Sequence, residues 1–229
     1  DCLLSRGLGD VYKRQVLYLA AAFSEYEDNG SIKDDVKQLI VPALVAGFSL
    51  IFLVAQADLG SALIFFGIII SLLYVATSKK LYVALSLGSA TVGAILGYNL
   101  FAHVRERVMI WRNPWEYASG AGYQLVQSLY AISSGGLIGS GLGQGYVEYI
   151  PVNDSDFIYA AICEEFGVIF AVGLMIIYFL LFFRGIRSAY VTNDKFSQLA
   201  VVGFSTMIAC QTLVIIGCLL YTSDAADDK

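Results

Sequence analysis

The feature that most limits what this chain can fold into is the length of its uncharged runs. Residues 38–57, 59–78, 81–102 and 196–223 contain no Asp, Glu, Lys or Arg. Each reaches the roughly 20 residues an α-helix needs to cross a hydrocarbon core of about 30 Å. No water is available at that depth, so a spanning segment must pair its own backbone amides and carbonyls, as a helix does. Composition agrees: 58% of residues are apolar and 14% charged, with mean hydropathy +0.69, against roughly 25% charged in soluble domains. The fold class read from this is all-α, a polytopic transmembrane helix bundle.

Punctuation divides the bundle into about six helices. An apolar stub at 16–24 is the end of a truncated first helix, and a polar turn, SEYEDNGSIKDD, occupies 24–35. Further helices are expected over about 36–56, 59–77, 81–102, 157–183 and 196–217. Between the fourth and fifth lies a polar, glycine-rich region, 103–156, too long for a plain connector and therefore a place to look for function. With alternating crossings, Lys33, Lys37, Lys79, Lys80, Arg184, Arg187 and Lys195 share one side and Arg105, Arg107 and Arg112 the other. The excess of basic residues marks the cytoplasmic side, so 103–156 is placed outside the cytoplasm.

The net charge of −5 sits in loops and at the ends of the chain, and nothing in it supports binding to nucleic acid. Cys2, Cys163, Cys210 and Cys218 have neither zinc-site nor disulfide-framework spacing. The first fifteen residues, DCLLSRGLGDVYKRQ, and the last twelve, CLLYTSDAADDK, fit no hydrophobic period and resemble translated sequencing-adaptor sequence. They are expected to be foreign to the protein; ordinary polar termini are the alternative. On the first reading 1–15 and 218–229 are non-native, and 16–217 is an internal piece of a larger membrane domain.

Three groups of residues in or beside the long region could carry chemistry. Arg105, Arg107 and Arg112 stand among Val108, Met109, Ile110, Trp111 and Trp115, which suits a short helix at the membrane interface. Anchoring alone would explain that pattern. Guanidinium forks also match phosphate oxygens, so a pyrophosphate at the membrane surface would find its donors here. Asp156 directly precedes the fifth apolar run, and Asp58 the third; a plain helix N-cap accounts for either position. Glu164 and Glu165 fall about two turns, roughly 10 Å, inside an otherwise apolar helix. Carboxylates at such depth face a protein interior or a wet cavity, as functional groups or as partners of the loop arginines. The glycines at 135, 136, 139, 141, 143 and 145 give backbone freedom but no phosphate-loop spacing.

A set of short strings appears in one order: Gln56-Ala57-Asp58-Leu59-Gly60, Arg105-x-Arg107, Asn113-Pro114-Trp115, Gly122-Tyr123-Gln124, Gln127-Ser128, Ala131-Ile132, Gly135-Gly136, Gly139-x-Gly141, Ile150-Pro151, Asp156-Phe157 and Glu164-Glu165-x-Gly167. Singly each is weak. Together they resemble the SEDS family of cell-shape, division and sporulation proteins, RodA, FtsW and SpoVE, over nearly all of 16–217.

The resemblance implies a fold of ten transmembrane helices, of which this chain would hold the middle. It also implies an inverting glycosyltransferase of the bacterial cytoplasmic membrane. That enzyme polymerises lipid II, the undecaprenyl-pyrophosphate-linked disaccharide peptide, in company with a class B penicillin-binding transpeptidase.

In that family's terms Asp156 is the catalytic base, with Arg105, Arg107, Arg112, Gln124 and Gln127 holding substrate or pyrophosphate. Asp58, Glu164 and Glu165 are supporting polar groups, and a divalent cation, Mg or Mn, is an optional cofactor. Ala57 stands where the family usually has proline, and Val152-Asn153-Asp154 where many members have Glu-Ala-His. The alternative is a lipid II flippase that makes no bonds, its path lined by Glu164 and Glu165. Without the remaining helices the piece itself is expected to be inactive.

Overall fold

A computed structural model describes residues 2–27, 32–56, 58–120, 122–146 and 157–227, apart from the side chains of 2–12, 32, 33, 36, 59 and 218–227. The described residues are helical, with turns and no strand. In chain order the helices are α1 (Cys2–Ser24), α2 (Ile32–Ala55), α3 (Leu59–Thr77), α4 (Lys80–Leu100), α5 (Ala102–Arg112), a 3₁₀ turn at Pro114–Tyr117, α6 (Tyr123–Gly135), α7 (Ile158–Val191) and α8 (Lys195–Asp227). Five stretches are long and apolar enough to cross a membrane: Lys37–Ala55, Gly60–Thr77, Lys80–Leu100, Ile158–Val191 and Lys195–Gly217. The protein is a polytopic all-α membrane bundle.

Helix boundaries follow local chemistry. Asp58 precedes α3 and its Oδ1 accepts the backbone N–H of Ser61 at 3.1 Å, satisfying one of the orphan donors of the first turn. The same helix ends where Ser78 turns left-handed, φ 54°, and its N–H reaches Tyr74 O at 2.8 Å. Asp194 caps α8, its Oδ2 accepting both the N–H and the hydroxyl of Ser197 at 2.9 and 2.6 Å. Ser197 holds the Asp194 carboxyl below the usual carboxylate range. The helices also continue through 2–15 and 218–227.

The chain gathers into two compact units, Asp1–Leu100 with Leu181–Cys210, and Phe101–Leu180 with Gln211–Lys229. In the first, α1 contributes Val16, Leu19, Ala20 and Phe23 to the core and α3 contributes Phe65, Ile68 and Leu72, each set at the spacing of one helix face. Leu199 and Val202 of α8 join them. Helix α4 buries none of its residues; Leu81, Leu85, Val92, Ile95 and Leu96 are all exposed, as befits a helix solvated by lipid tails or by further helices. In the second unit Leu125 and Ala131 of α6 pack with Tyr159, Ala160, Cys163 and Ala171 of α7 and Ile216 of α8.

One expectation is corrected here. The apolar run after residue 157 predicts an unbroken helix, but α7 is interrupted at Gly167, whose φ of 83° and ψ of 166° lie outside helical space. Helices α5 and α6 and the 3₁₀ turn also give the region 103–156 more regular structure than its polar, glycine-rich sequence suggests.

Candidate active site

The break in α7 is where the glycine-rich chain docks. In an uninterrupted helix the N–H of residue 168 would bond to the carbonyl of 164, and that of 169 to 165. Here both bonds are opened and both halves of each are re-used. Val168 N–H donates to Gly136 O at 3.0 Å and Ile169 N–H to Leu137 O at 3.3 Å, while the released carbonyls of Glu164 and Glu165 accept from Ser140 N–H at 2.9 Å and Gly141 N–H at 3.0 Å. The segment after α6 is thereby spliced into the hydrogen-bond ladder of α7. The four backbone groups released by the break, the N–H of 168 and 169 and the carbonyls of 164 and 165, each find a partner in the loop.

The glycines are there because the backbones nearly touch. A Cβ on Gly139 would collide with the Glu165 carbonyl, one on Gly135 with the Cys163 carbonyl, and one on Gly167 with Leu137 O. Gly139 and Gly167 also have positive φ, 90° and 83°, a region that L side chains rarely enter. The run that said little in the sequence is the condition for the splice.

The two glutamates hold the loop with side chains as well. Glu164 is 3% exposed; its Oε1 accepts the N–H of Tyr146 at 2.8 Å and lies 3.5 Å from the Ser134 hydroxyl. Its Oε2 is buried without a hydrogen-bond partner. Glu165 Oε1 accepts Gly143 N–H at 3.1 Å, and Ser140 adds a hydroxyl bond to Glu164 O at 2.9 Å. Among the described residues neither glutamate pairs with a loop arginine, so the ion-pair expectation gives way to bonds with the glycine loop.

The arginines lie on α5 and are exposed. Arg105 and Arg112, seven residues apart, fall on one face of that helix, whereas Arg107 starts about 200° round from Arg105. The sequence therefore groups three residues that the helix divides two against one. Trp111 and Trp115 are partly exposed, and Trp115 meets Tyr130 of α6 edge-on at 5.6 Å between ring centres. Gln124 and Gln127, three apart, share a half-buried face of α6. Asp58 belongs to the first unit, where it caps α3. Asp156, with Asp154, lies in 147–156, outside the described residues. Among the described residues no three His, Cys, Asp or Glu side chains converge on a metal position.

Residues 11–220 match the model of the family that comprises FtsW, RodA and SpoVE, described as a cell cycle protein. The chain belongs to this family. A peptidoglycan glycosyltransferase RodA of Mycobacterium tuberculosis is 35% identical over 165 residues, 72% of this chain and 35% of the relative. Stage V sporulation protein E of Bacillus subtilis is 34% identical over 206 residues, 88% and 55% respectively. A probable peptidoglycan glycosyltransferase FtsW of Geobacter metallireducens is 34% identical over 173 residues, 73% and 45%. The chain spans about a third to a half of the length of these relatives.

A solved chain from work on structural coordination of polymerization and crosslinking by a peptidoglycan synthase complex shares this fold. It has TM-score 0.70 and 24% identity, covering 91% of this chain and 57% of that one.

Ser134, Ser140 and Tyr146 escape sequence reasoning, because a serine or tyrosine in a polar loop carries no sign of the carboxylate it will meet. A second constellation escapes it too. In the first unit Asp35 accepts the hydroxyl of Tyr26 on Oδ1 and that of Tyr82 on Oδ2, both at 2.8 Å, and Oδ2 also takes the ammonium of Lys79. Lys79 and Tyr82 hold the Asp35 carboxyl below the usual carboxylate range. Sequence separations of 9, 44 and 47 residues leave no local pattern by which to find it.

Proposed function

We propose that this chain carries the catalytic loop of a peptidoglycan glycosyltransferase, which joins lipid II into glycan strands at the outer face of the bacterial cytoplasmic membrane. The observation that carries the reading is the splice of the glycine-rich chain into α7. It ties 136–146 to the beginning of the helix that Asp156 precedes in sequence, and so brings both flanks of 147–156 to one rigid element. Relatives named as peptidoglycan glycosyltransferases, sharing about a third of their residues with it, supply the reaction class.

In this reading Asp156 takes the proton of the acceptor 4-hydroxyl of N-acetylglucosamine as that oxygen attacks the anomeric carbon of N-acetylmuramic acid. The new C–O bond forms with inversion as the bond to phosphate breaks, and undecaprenyl pyrophosphate leaves. Arg105 and Arg112, on one exposed face of α5, meet the departing pyrophosphate; Arg107, about 200° round the same helix, is left to a second phosphate or to the lipid headgroups. Gln124 and Gln127 offer neutral donors to the sugar or phosphate oxygens. A divalent cation, Mg or Mn, would supply charge neutralisation at a pyrophosphate; among the described residues no set of His, Cys, Asp or Glu is gathered to hold one, and no step is routed through it. A class B penicillin-binding transpeptidase would take the strands on to cross-linking.

Glu164 and Glu165, which would line a flippase path, are committed to the loop instead, and this favours the enzyme. The 229-residue chain on its own is expected to make no strands, since it spans only about a third to a half of the length of its relatives. The test is product analysis in detergent with lipid II and the full-length protein that bears this segment. Glycan strands form without a bilayer only if the protein makes bonds.

Asp156→Asn should abolish them, with a loss of roughly 10²–10⁴-fold. Insertion and partner binding should survive, because Asn caps a helix as well as Asp but takes no proton. Asp154→Asn is the control for loop charge. Strands from Asp156→Asn at near-parental rate would overturn the assignment.

A further inference from the structure

Glu164 holds the glycine loop through both its backbone carbonyl and its carboxylate, and only one carboxylate oxygen is used. Its Oε1 accepts Tyr146 N–H at 2.8 Å and, at 3.5 Å, the Ser134 hydroxyl, its Oε2 meets nothing, and the group is closed off from solvent. A carboxylate buried this way within an apolar helix is expensive to keep. Tyr146 is the point at which the chain enters 147–156, and Phe157, whose carbonyl accepts from Ala160 and Ala161, is the point at which it leaves. From Phe157 to Glu164 is seven helical residues, roughly 10 Å. Entry and exit of the ten-residue segment are therefore both fixed to the first two turns of α7, one by the chain itself and the other by Glu164. Gly145 leaves room for this: a Cβ there would stand 3.0 Å from Glu164 Cδ, so an alanine would need the carboxylate to shift by a few tenths of an ångström.

We propose that Glu164 is a positioning residue, which holds Tyr146 by a hydrogen bond through Oε1 and so sets where the reacting segment 147–156 begins. The proposal rests on the reading of Asp156 as the base. What it requires of residue 164 is an acceptor oxygen, not a charge.

The test uses the full-length protein with its transpeptidase partner, lipid II polymerisation in detergent, thermal unfolding, and hydrogen exchange at the Tyr146 amide. E164A should lower kcat by roughly 10- to 100-fold, the size expected when a reacting group is misplaced by about 1 Å. KM and the melting temperature should change little, and the Tyr146 amide should exchange faster. E164Q, whose amide oxygen can accept the same N–H, should recover most of the activity and the protection. G145A should lose activity several-fold and loosen the amide while leaving Glu164 in the sequence, and it decides the matter if E164A does not fold.

Activity of E164A within two-fold of the parent would overturn the proposal, as would unchanged exchange at Tyr146 in both E164A and G145A. So would a loss of activity that only follows the melting temperature. E164Q as inactive as E164A would show that the carboxylate itself does chemistry. Full activity of D156N alongside a damaged E164A would instead sink the Asp156 assignment and leave Glu164 positioning another group.

Discussion

Asp35 and Glu164 are both carboxylates closed off from solvent, 0% and 3% exposed, yet their surroundings differ in kind. Asp35 is saturated: two tyrosine hydroxyls and a lysine ammonium fill both its oxygens and tie together the end of α1, the start of α2 and the α3–α4 junction. Glu164 spends one oxygen on a backbone N–H and a distant serine and leaves the other unpaired. A saturated buried carboxylate is a knot, whose partners account for its presence. An unsaturated one costs stability that its own contacts do not return, and such groups are kept where the protein does its work. The difference sets a carboxylate whose partners explain its burial against one whose contacts do not.

The comparison breaks most visibly at Gly167. If the Glu164 side is built around the splice, Gly167→Ala must force a left-handed φ on a residue with a Cβ and drive that atom into the Leu137 carbonyl. Strain of this kind costs on the order of 3 kcal/mol. Thermal unfolding of the second unit, followed by the fluorescence of Trp111 and Trp115, should shift down sharply. A melting curve unchanged from the parent would mean that the loop is not held by the break in α7.

The Asp35 knot should behave as an ion pair with its hydrogen bonds. Asp35→Leu removes the carboxylate that Lys79 meets here and should lower the melting temperature by several degrees, whereas Asp35→Leu with Lys79→Met should restore part of the loss. Its pH dependence has a definite sign. The folded carboxyl lies below its ordinary value near 3.8, so the stabilisation is present above that value and is lost as pH falls through the depressed folded value. Melting measured from pH 7 down to 3 should therefore show an acid decline that Asp35→Asn flattens. A decline of equal size in Asp35→Asn would place the acid sensitivity in other carboxylates.

The two carboxylate sites were unequally legible in the sequence. Uncharged runs gave the spanning helices to within a few residues at most ends, because a membrane permits few other solutions. The start and end of α3 could be read from Asp58 and from the lysines after it, since caps are local chemistry. Glu164 and Glu165 stood out for the same reason that spans do, as charges in apolar sequence. Asp35 did not, lying in a polar turn with its partners 9 to 47 residues away. The break at Gly167 was hidden as well: glycine is common within membrane helices, and only the approach of Gly139 and Leu137 shows that this one interrupts the ladder. What sequence shows is the cost of a residue in its own element. What it hides is the partner that offsets that cost.

The smallest effect sharpens the comparison by supplying its baseline. Asp58 and Glu164 each have a carboxylate oxygen accepting a backbone N–H, Ser61 at 3.1 Å against Tyr146 at 2.8 Å, but Asp58 does so in a half-exposed cap. Asp58→Ala should cost about 1 kcal/mol, the usual worth of a cap, and shift the melting temperature by only roughly 2–4 °C in a chain of this size. Asp58→Asn should be nearly silent in stability, because the amide oxygen accepts the same bond. If both substitutions lower stability equally, the charge and not the acceptor holds the start of α3, and acceptor-only reasoning for Glu164 loses its model. If Asn is silent and Ala is not, an acceptor oxygen is what this cap requires, and the size of the loss is its baseline. Any larger loss of turnover in E164A then measures what fixing Tyr146 adds beyond a hydrogen bond.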